Sequence, residues 1–322
     1  FLQNILINLD EDKGGYKGSP KFPIFNIYDV LLFFYNKTKK IKYLKPVKLI
    51  LKQLCSQGIY DHIEGGISRY TVDENWLIPH FEKMLYDNAQ FVLLLSKYLE
   101  VEKSEYFKKK IIQTIEFINK NFINSENKLL GSAYDADSEG VEGKYYVFNY
   151  DEIKNIKDIE QYFDIKKEGN WENKIILREL KPATDYIVLE LKKLREKKTK
   201  PFFDNKSQLD LNCLWVSALI SAEKVIPKND FLRIAENYYK NIENIFFNKK
   251  KLQHTPKNSD VFLEDYAYSI AMLLDLYDLT LKPNYLFKAK ELCKNSIDLF
   301  YIKEKSIFQK NVVETNDIFH KP

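Results

Sequence analysis

The chain has 322 residues, 45% of them apolar and 30% charged, enough for one large domain or two ordinary ones around a substantial core. Its 50 basic and 46 acidic residues leave a net charge of +4, which gives no electrostatic footprint for nucleic acid. No apolar run is long enough to span a bilayer, so neither nucleic acid nor membrane is expected as a partner. Cys55, Cys213 and Cys293 lie far apart in apolar helical patterns and read as buried thiols of a reducing, cytoplasmic compartment. No signal peptide is visible; because the chain opens on Phe1, the natural N-terminus is expected to be absent.

In chain order, residues 1–9 read as the end of a helix, followed by the Gly/Pro-rich loop DEDKGGYKGSPKFP. Residues 24–35 are apolar almost all round, as in a helix buried on most sides. Lys45-Pro46 is expected to open the next helix, with Val47, Ile50, Leu51 and Leu54 as its stripe and Gly58 as its stop. A further helix is expected from Pro79, carrying Leu85, Phe91, Val92, Leu95 and Leu99. Phe107, Ile111, Ile115, Ile118 and Phe122 step along its partner. Residues 124–183 are mixed, with a short strand expected at GKYYVFN and a small helix near 151–163. Helical spacing returns at 186–194, and the Lys-rich run 192–200 reads as a solvated helix end. Two more helical pairs follow, at 211–225 with 232–246 and at 263–279 with 286–300.

Connections within each pair are short, near residues 37–43, 101–104, 227–230 and 280–284. Those between pairs are long, at 58–78, 124–183 and 248–260. Short links make antiparallel neighbours, and in such an array the long links emerge at one end. His62, His80, His254 and His320 are therefore expected on one rim. The pattern predicts an all-α, α/α-toroid fold of about four hairpins, with long loops and a short β element at one rim.

The stretch GIYDHIEGGISRYTVDENWLIPHFEKMLYDN, residues 58–88, concentrates the chemistry. Gly65-Gly66 offers positive φ or close approach to a ligand. Arg69 offers a fork for a carboxylate, phosphate or sugar hydroxyls, and Trp76 a stacking platform. His80, Glu82 and Lys83 are expected in the first turn of a helix opened by Pro79, where free N–H groups favour an anion. There His80 can exchange protons near neutral pH, or else His80 and Glu82 cap the helix. His62, Tyr70, Tyr86 and Asp87 complete the expected ligand-binding set in this stretch. YDADSEGVEG places Asp135, Asp137, Glu139 and Glu142 within eight residues. These acids suit a cation, an acid/base pair or turn hydrogen bonds, without the spacing of an EF-hand. Glu264 and Asp265 open the last pair as ligand contacts or caps. No P-loop, GxGxxG, GxSxG or HExxH is present, and neither metal nor cofactor is expected.

GGYKGSPKFP, WLIPHFEKMLYDNAQ, SAYDADSEGVEGKYYVF, GNWENKIIL and FLEDYAYSIAMLLDLY together resemble the thioredoxin-domain-containing family of bacterial YyaL and the animal spermatogenesis-associated protein. That resemblance implies an N-terminal thioredoxin-like domain and a six-hairpin α/α toroid similar to those of N-acylglucosamine 2-epimerases and six-hairpin glycosidases. Residues 1–322 would then be one partial toroid domain, an internal fragment without the thioredoxin-like domain and the last hairpins. Ser68 stands where the family has a histidine in GFHRY, and Asn173 where it has glycine in GNWEGK.

The expected function is carbohydrate-active: a sugar or sugar-like ligand in a rim funnel, with proton transfer at a sugar carbon as in epimerisation. His80 is the expected acid/base, with His62 or a carboxylate opposite and Arg69 and Trp76 positioning the ring. The alternatives are glycoside hydrolysis by Asp135 or Asp137 beside Glu82, and a non-catalytic module that presents a partner or substrate to the thioredoxin-like domain.

Overall fold

A computed structural model describes residues 2–227, 229–247, 251–258 and 260–311. The chain divides into two compact units, Phe1–Phe122 with Ala133–Asp204, and Ile123–Ser132 with Asn205–Pro322.

The first unit holds α1 (Leu2–Asn8), α2 (Phe25–Thr38), α3 (Ile41–Ser56), the strands β1 (Tyr70–Thr71), β2 (Pro79–His80) and β3 (Lys83–Met84), α4 (Leu85–Leu99) and α5 (Glu105–Asn121). It continues with β4 (Ala133–Tyr134), β5 (Asp137–Ser138), β6 (Val141–Glu142), α6 (Tyr150–Ile153), α7 (Asp185–Arg195) and β7 (Phe203–Asp204). Helices α2 and α3 pack as one hairpin, and α4 and α5 as another. Phe25, Tyr28, Leu31 and Leu32 make the buried side of α2, and Lys39 in the left-handed region ends it. Helix α3 begins at Ile41, before the expected opening, because Tyr43 and Leu44 already belong to its buried stripe. Pro46 therefore lies inside it, and the Lys42 carbonyl that loses its donor sits on an exposed residue. The helix ends at Ser56 rather than at Gly58, with Gln57 as its cap. Ser104 caps α5 by accepting from the Phe107 N–H.

The long connections of this unit knit together. Lys21 and Thr71 exchange backbone hydrogen bonds at 2.8 and 2.9 Å. Strand β1 pairs antiparallel with β2, matching Tyr70 to His80; β4 lies between β3 and β7. The expected strand at GKYYVFN reduces to one bridge, Phe148 to Ile175. Phe148, Ile153, Ile159, Phe163 and Ile175 form a core with Ile187 and Leu191 of α7, so the mixed segment buries an apolar cluster of its own.

The second unit contains α8 (Leu209–Val225), α9 (Phe231–Ile242), α10 (Leu263–Thr280) and α11 (Pro283–Phe300), with α8 packed on both α9 and α10, and α10 on α11. Helix α8 is apolar nearly all round, with Trp215 fully buried. Cys55 and Cys213 are buried free thiols, whereas Cys293 is exposed on α11, because its position faces outward between the buried Ala289, Leu292 and Ser296. No helix among the described residues is long and apolar enough to cross a membrane.

Candidate functional site

The residues expected to open a helix at Pro79 are extended instead. Pro79 and His80 form β2, the Arg69 N–H donates to the Glu82 carbonyl at 2.9 Å, and the helix starts only at Leu85. Pairing with residues 69–71 claims this backbone before any helical turn can form, and Pro79 suits a strand edge that needs no donor there. The expected helix N-terminus at His80 and Glu82 is therefore not formed, and the anion site argued from it falls.

The strands instead gather side chains into a cluster. The His80 ring stacks on Tyr70 at 5.0 Å between centroids, and Tyr70 on Phe22 at 4.6 Å. His80 Nδ1 lies 2.7 Å from Glu142 Oε1, and its Nε2 is 3.9 Å from Glu82 Oε2. Donation from Nδ1 to Glu142 leaves Nε2 as the basic nitrogen, on the side of the Arg69–Glu82 ion pair (3.1 Å). Glu142 reaches His80 because residues 137–142 form a two-residue hairpin, with Glu139 and Gly140 both at positive φ in its turn. The other acids of this stretch have different surroundings. Asp135 and Asp137 are exposed, and Asp135 Oδ1 accepts from the Ala136 N–H at 2.7 Å. Glu139 pairs with Lys144 at 2.8 Å.

Asp87, in the first turn of α4, lies within the electrostatic reach of Arg69 and Glu82. It is 6% exposed, and its Oδ2 is buried without a hydrogen-bond partner among the described residues. Burial pushes its carboxyl up to about 8, against the pull of the Arg69 guanidinium, with the Glu82 carboxylate adding to the rise. Burial likewise raises the Tyr86 hydroxyl, which interacts with both Asp87 and Arg69.

Three other expected contacts are structural. Trp76 is 0% exposed: Asp73 gathers the N–H groups of Asn75, Leu77 and Ile78, Trp76 takes φ 61°, and its indole packs on Gly15 and donates to the Lys13 carbonyl. It is not a platform for a ligand. Gly65 and Gly66 have φ of 95° and 82°, but what approaches them is Gln113 of α5 and Asn88 of α4. His62 is buried, donating from Nε2 to the Gln57 carbonyl (3.0 Å), with Nδ1 at 3.4 Å from both Lys110 and Glu179. Burial and the Lys110 cation hold it below the usual histidine range, so it is neutral and enclosed.

A second charged set lies beneath the strands. The Asp61 carboxylate accepts from Arg195 at 2.6 and 2.7 Å and from Lys83 at 2.7 Å. Lys83 also donates to the Gly65 carbonyl, and Tyr145 to Glu64 at 2.9 Å. Burial works to raise the Asp61 carboxyl, but the two cations reverse this and hold it far below the carboxylate range. Arg195 corrects the reading of residues 192–200 as solvated: it is 3% exposed, because it continues the α7 stripe of Ile187 and Leu191 at i+8. Lys110 hides in the same way in the α5 stripe of Phe107, Ile111 and Thr114, meeting Glu179 at 2.9 Å. Spacing, had it been given precedence over residue type, marks both.

In the second unit, Asp265 is fully buried. Its Oδ2 caps α10 by accepting from the Phe262 N–H (2.9 Å), and its Oδ1 meets His254 Nδ1 at 2.9 Å. Asp210 Oδ1 lies 3.9 Å from the same nitrogen, and Gln208 meets His254 Nε2 at 2.7 Å. Asp210, His254 and Asp265 are the residues that could hold a cation among those described, with one donor atom each within 4.8 Å of the others. Glu264 is partly exposed beside Lys310, and His320 lies outside the described residues.

No family model matches the chain. An uncharacterized protein of Caenorhabditis elegans is 29% identical to it, over 89% of this chain and 48% of its own length. Spermatogenesis-associated protein 20 of Homo sapiens is 25% identical over 91% of this chain and 45% of its own length. The chain thus spans about half the length of the curated relatives it matches. Among solved structures, a family 105 glycoside hydrolase of C. acetobutylicum is similar with a TM-score of 0.59 at 17% identity, covering 95% of this chain and 72% of its own. A GH76 α-mannanase of Bacteroides thetaiotaomicron is similar with a TM-score of 0.58 at 12% identity, covering 96% and 71%. These likenesses show the fold: the chain is an all-α protein of the α/α-toroid class.

Proposed function

We propose that the chain is a carbohydrate-active enzyme that binds a sugar or sugar-like ligand over the Tyr70–His80 stack and moves a proton at a carbon beside the sugar carbonyl, as an epimerase or isomerase does. The observation that carries this reading is the His80–Glu142 hydrogen bond of 2.7 Å. It orients the imidazole and leaves Nε2 as a base close to the Arg69–Glu82 pair. The aromatic column suits a pyranose face, and Arg69 suits sugar hydroxyls or the carbonyl oxygen. That the GH76 α-mannanase and the family 105 glycoside hydrolase share the fold supports carbohydrate as the ligand class. In the longer protein the site would work beside a thioredoxin-like domain, in the reducing cytoplasm that the free Cys55 and Cys213 thiols suit.

The test is solvent deuterium incorporation into reducing sugars incubated in D2O with the intact protein, followed by NMR. Deuterium at the carbon beside the carbonyl is expected, falling about 100-fold or more in His80→Gln and to a lesser degree in Glu142→Gln. Incorporation unchanged in His80→Gln would overturn the reading. Glycoside hydrolysis is the second reading, favoured by one observation. The β3–β4 register pairs Lys83 with Tyr134, and continued by one residue it sets Glu82 across from Asp135. New reducing ends from an oligosaccharide, without deuterium at carbon, would select it.

A further inference from the structure

Within that acid/base reading, one group has chemistry that the His80–Glu142 pair does not supply. A base that takes a proton from carbon needs an acid to protonate the neighbouring oxygen. Arg69 and Glu82 are bound to each other, and Glu142 is engaged by His80. Asp87 is different: its Oδ2 is buried and has no hydrogen-bond partner among the described residues, although the α4 N-terminus beside it favours a charged and bonded carboxylate. An orphaned buried carboxyl oxygen costs stability in the resting protein. A ligand oxygen placed against it would remove that cost.

We infer that Asp87 is the proton donor of this site, a neutral carboxylic acid whose Oδ2–H is directed to the carbonyl oxygen of the bound sugar. The inference rests on the proposed acid/base reaction. In that step His80 Nε2 takes the proton from the carbon beside the carbonyl, and the C–H electron pair becomes the C=C bond of an enediol. The carbonyl electrons take the Asp87 proton as a new O–H bond. Asp87 is left as a carboxylate within the field of Arg69, and Tyr86, also coupled to it, offers its hydroxyl as a neighbouring dipole. Returning both protons restores the two groups, and return of a solvent-exchanged proton by His80 to the same carbon leaves deuterium there, which is what the exchange assay reads. The groups that set the state of Asp87 are Arg69 and, on its own helix, Tyr86, which favour its ionised form, and Glu82, which opposes it. Burial outweighs the favourable ones and pushes the carboxyl up to about 8, so the acid form dominates at neutral pH.

Two measurements decide this separately from the proposed reaction. The first is infrared spectroscopy of the intact protein labelled with ¹³C at aspartate carboxyls. A protonated-carboxyl band is expected near pH 6.5, lost above about pH 8 and missing in Asp87→Asn; a fully ionised spectrum in that range overturns the assignment. The second is the deuterium exchange assay. Asp87→Asn and Asp87→Ala are expected to lower the exchange rate by about 10²–10⁴-fold, and the wild-type rate is expected to fall as pH rises through about 8. Exchange at the wild-type rate in both variants overturns the donor role while leaving the His80 reading intact. If no sugar exchanges with the wild type, the reaction falls and the infrared band alone decides whether Asp87 is a neutral acid. Should Asp87→Asn fail to fold, the pH dependence of the wild-type exchange rate still decides, because burial also raises Asp210 and Asp265 and the labelled band is then shared with them.

Discussion

Around Asp61, the buried Asp61 carboxylate and the half-buried Glu64 face two buried cations, Lys83 and Arg195, and most of their polar atoms are bonded, Arg195 Nε excepted. Around Asp87 charged residues meet nearer the surface and the balance is left open: Arg69 is taken by Glu82, His80 by Glu142, and Asp87 Oδ2 by nothing among the described residues. The two assemblies are linked by adjacent residues, since Glu82 belongs to the upper set and Lys83 to the lower. Near-complete pairing gives a fixed structure, whereas a carboxyl oxygen without a partner among the described residues can be satisfied by a ligand.

The contrast can be broken most directly from below. Asp61→Ala leaves Arg195 and Lys83 buried without their anion and is expected to cost about 3–5 kcal/mol, read as a fall in urea midpoint; a cost comparable to that of a surface substitution would mean that the network is not buried as described. The Asp61 carboxyl is depressed in the folded state, so its contribution is present above the ordinary carboxylate range and is lost as pH falls below it. Trp76→Ala is expected to cost a similar ~3–5 kcal/mol without altering the affinity of a bound sugar. A change in affinity with little loss of stability would return Trp76 to the site.

A smaller effect is expected at His62. Its folded pKa is lowered, so the unfolded chain takes up a proton first. Stability should fall as pH drops below about 6.5, by up to about 1.4 kcal/mol per pH unit. Equilibrium unfolding between pH 7 and 5 should show this slope in the wild type and a flatter one in His62→Gln; equal slopes would remove His62 as its source. The least effect is expected from Asp137→Ala and Glu139→Ala, within about 0.5 kcal/mol in stability and without loss of deuterium exchange. Glu142→Gln on the same hairpin should lower the exchange rate. If the three variants behaved alike, the hairpin would have no special tie to His80.

Much of the scaffold was legible in the sequence because helical spacing and loop length depend on local chemistry. The apolar steps of residues 107–118 and 263–276 gave helices, and the short links gave the four hairpins. The strand at Pro79–His80 was not legible, because its partner is ten residues away and a proline before an apolar run reads equally well as a helix start. Trp76 and His62 were misread by residue type: each carries ligand chemistry, but Gly15 and Lys110 claim them through contacts distant in sequence. Arg195 was missed for the converse reason, since a charge in a Lys-rich run was weighed above its place in the α7 stripe. Glu142 lay within the acidic loop that the sequence singled out, but which acid reaches His80 depends on a two-residue turn.

The difference in stability between Asp87→Asn and the wild type, measured by urea unfolding from pH 5 to pH 9, tests the central claim most directly. The Asp87 carboxyl is raised in the folded state to about 8, so the folded chain holds a proton that the unfolded chain has released above about pH 4. Its stabilising contribution is complete below that point and declines as pH rises through about 8. Asparagine cannot ionise, so the variant should gain on the wild type by about 1.4 kcal/mol per pH unit from pH 5 upward, on the order of 4 kcal/mol by pH 8, and level off above it. A gap that stays constant across the range, or a variant that grows less stable with rising pH, would show that Asp87 is an ordinary ionised carboxylate and would contradict the account.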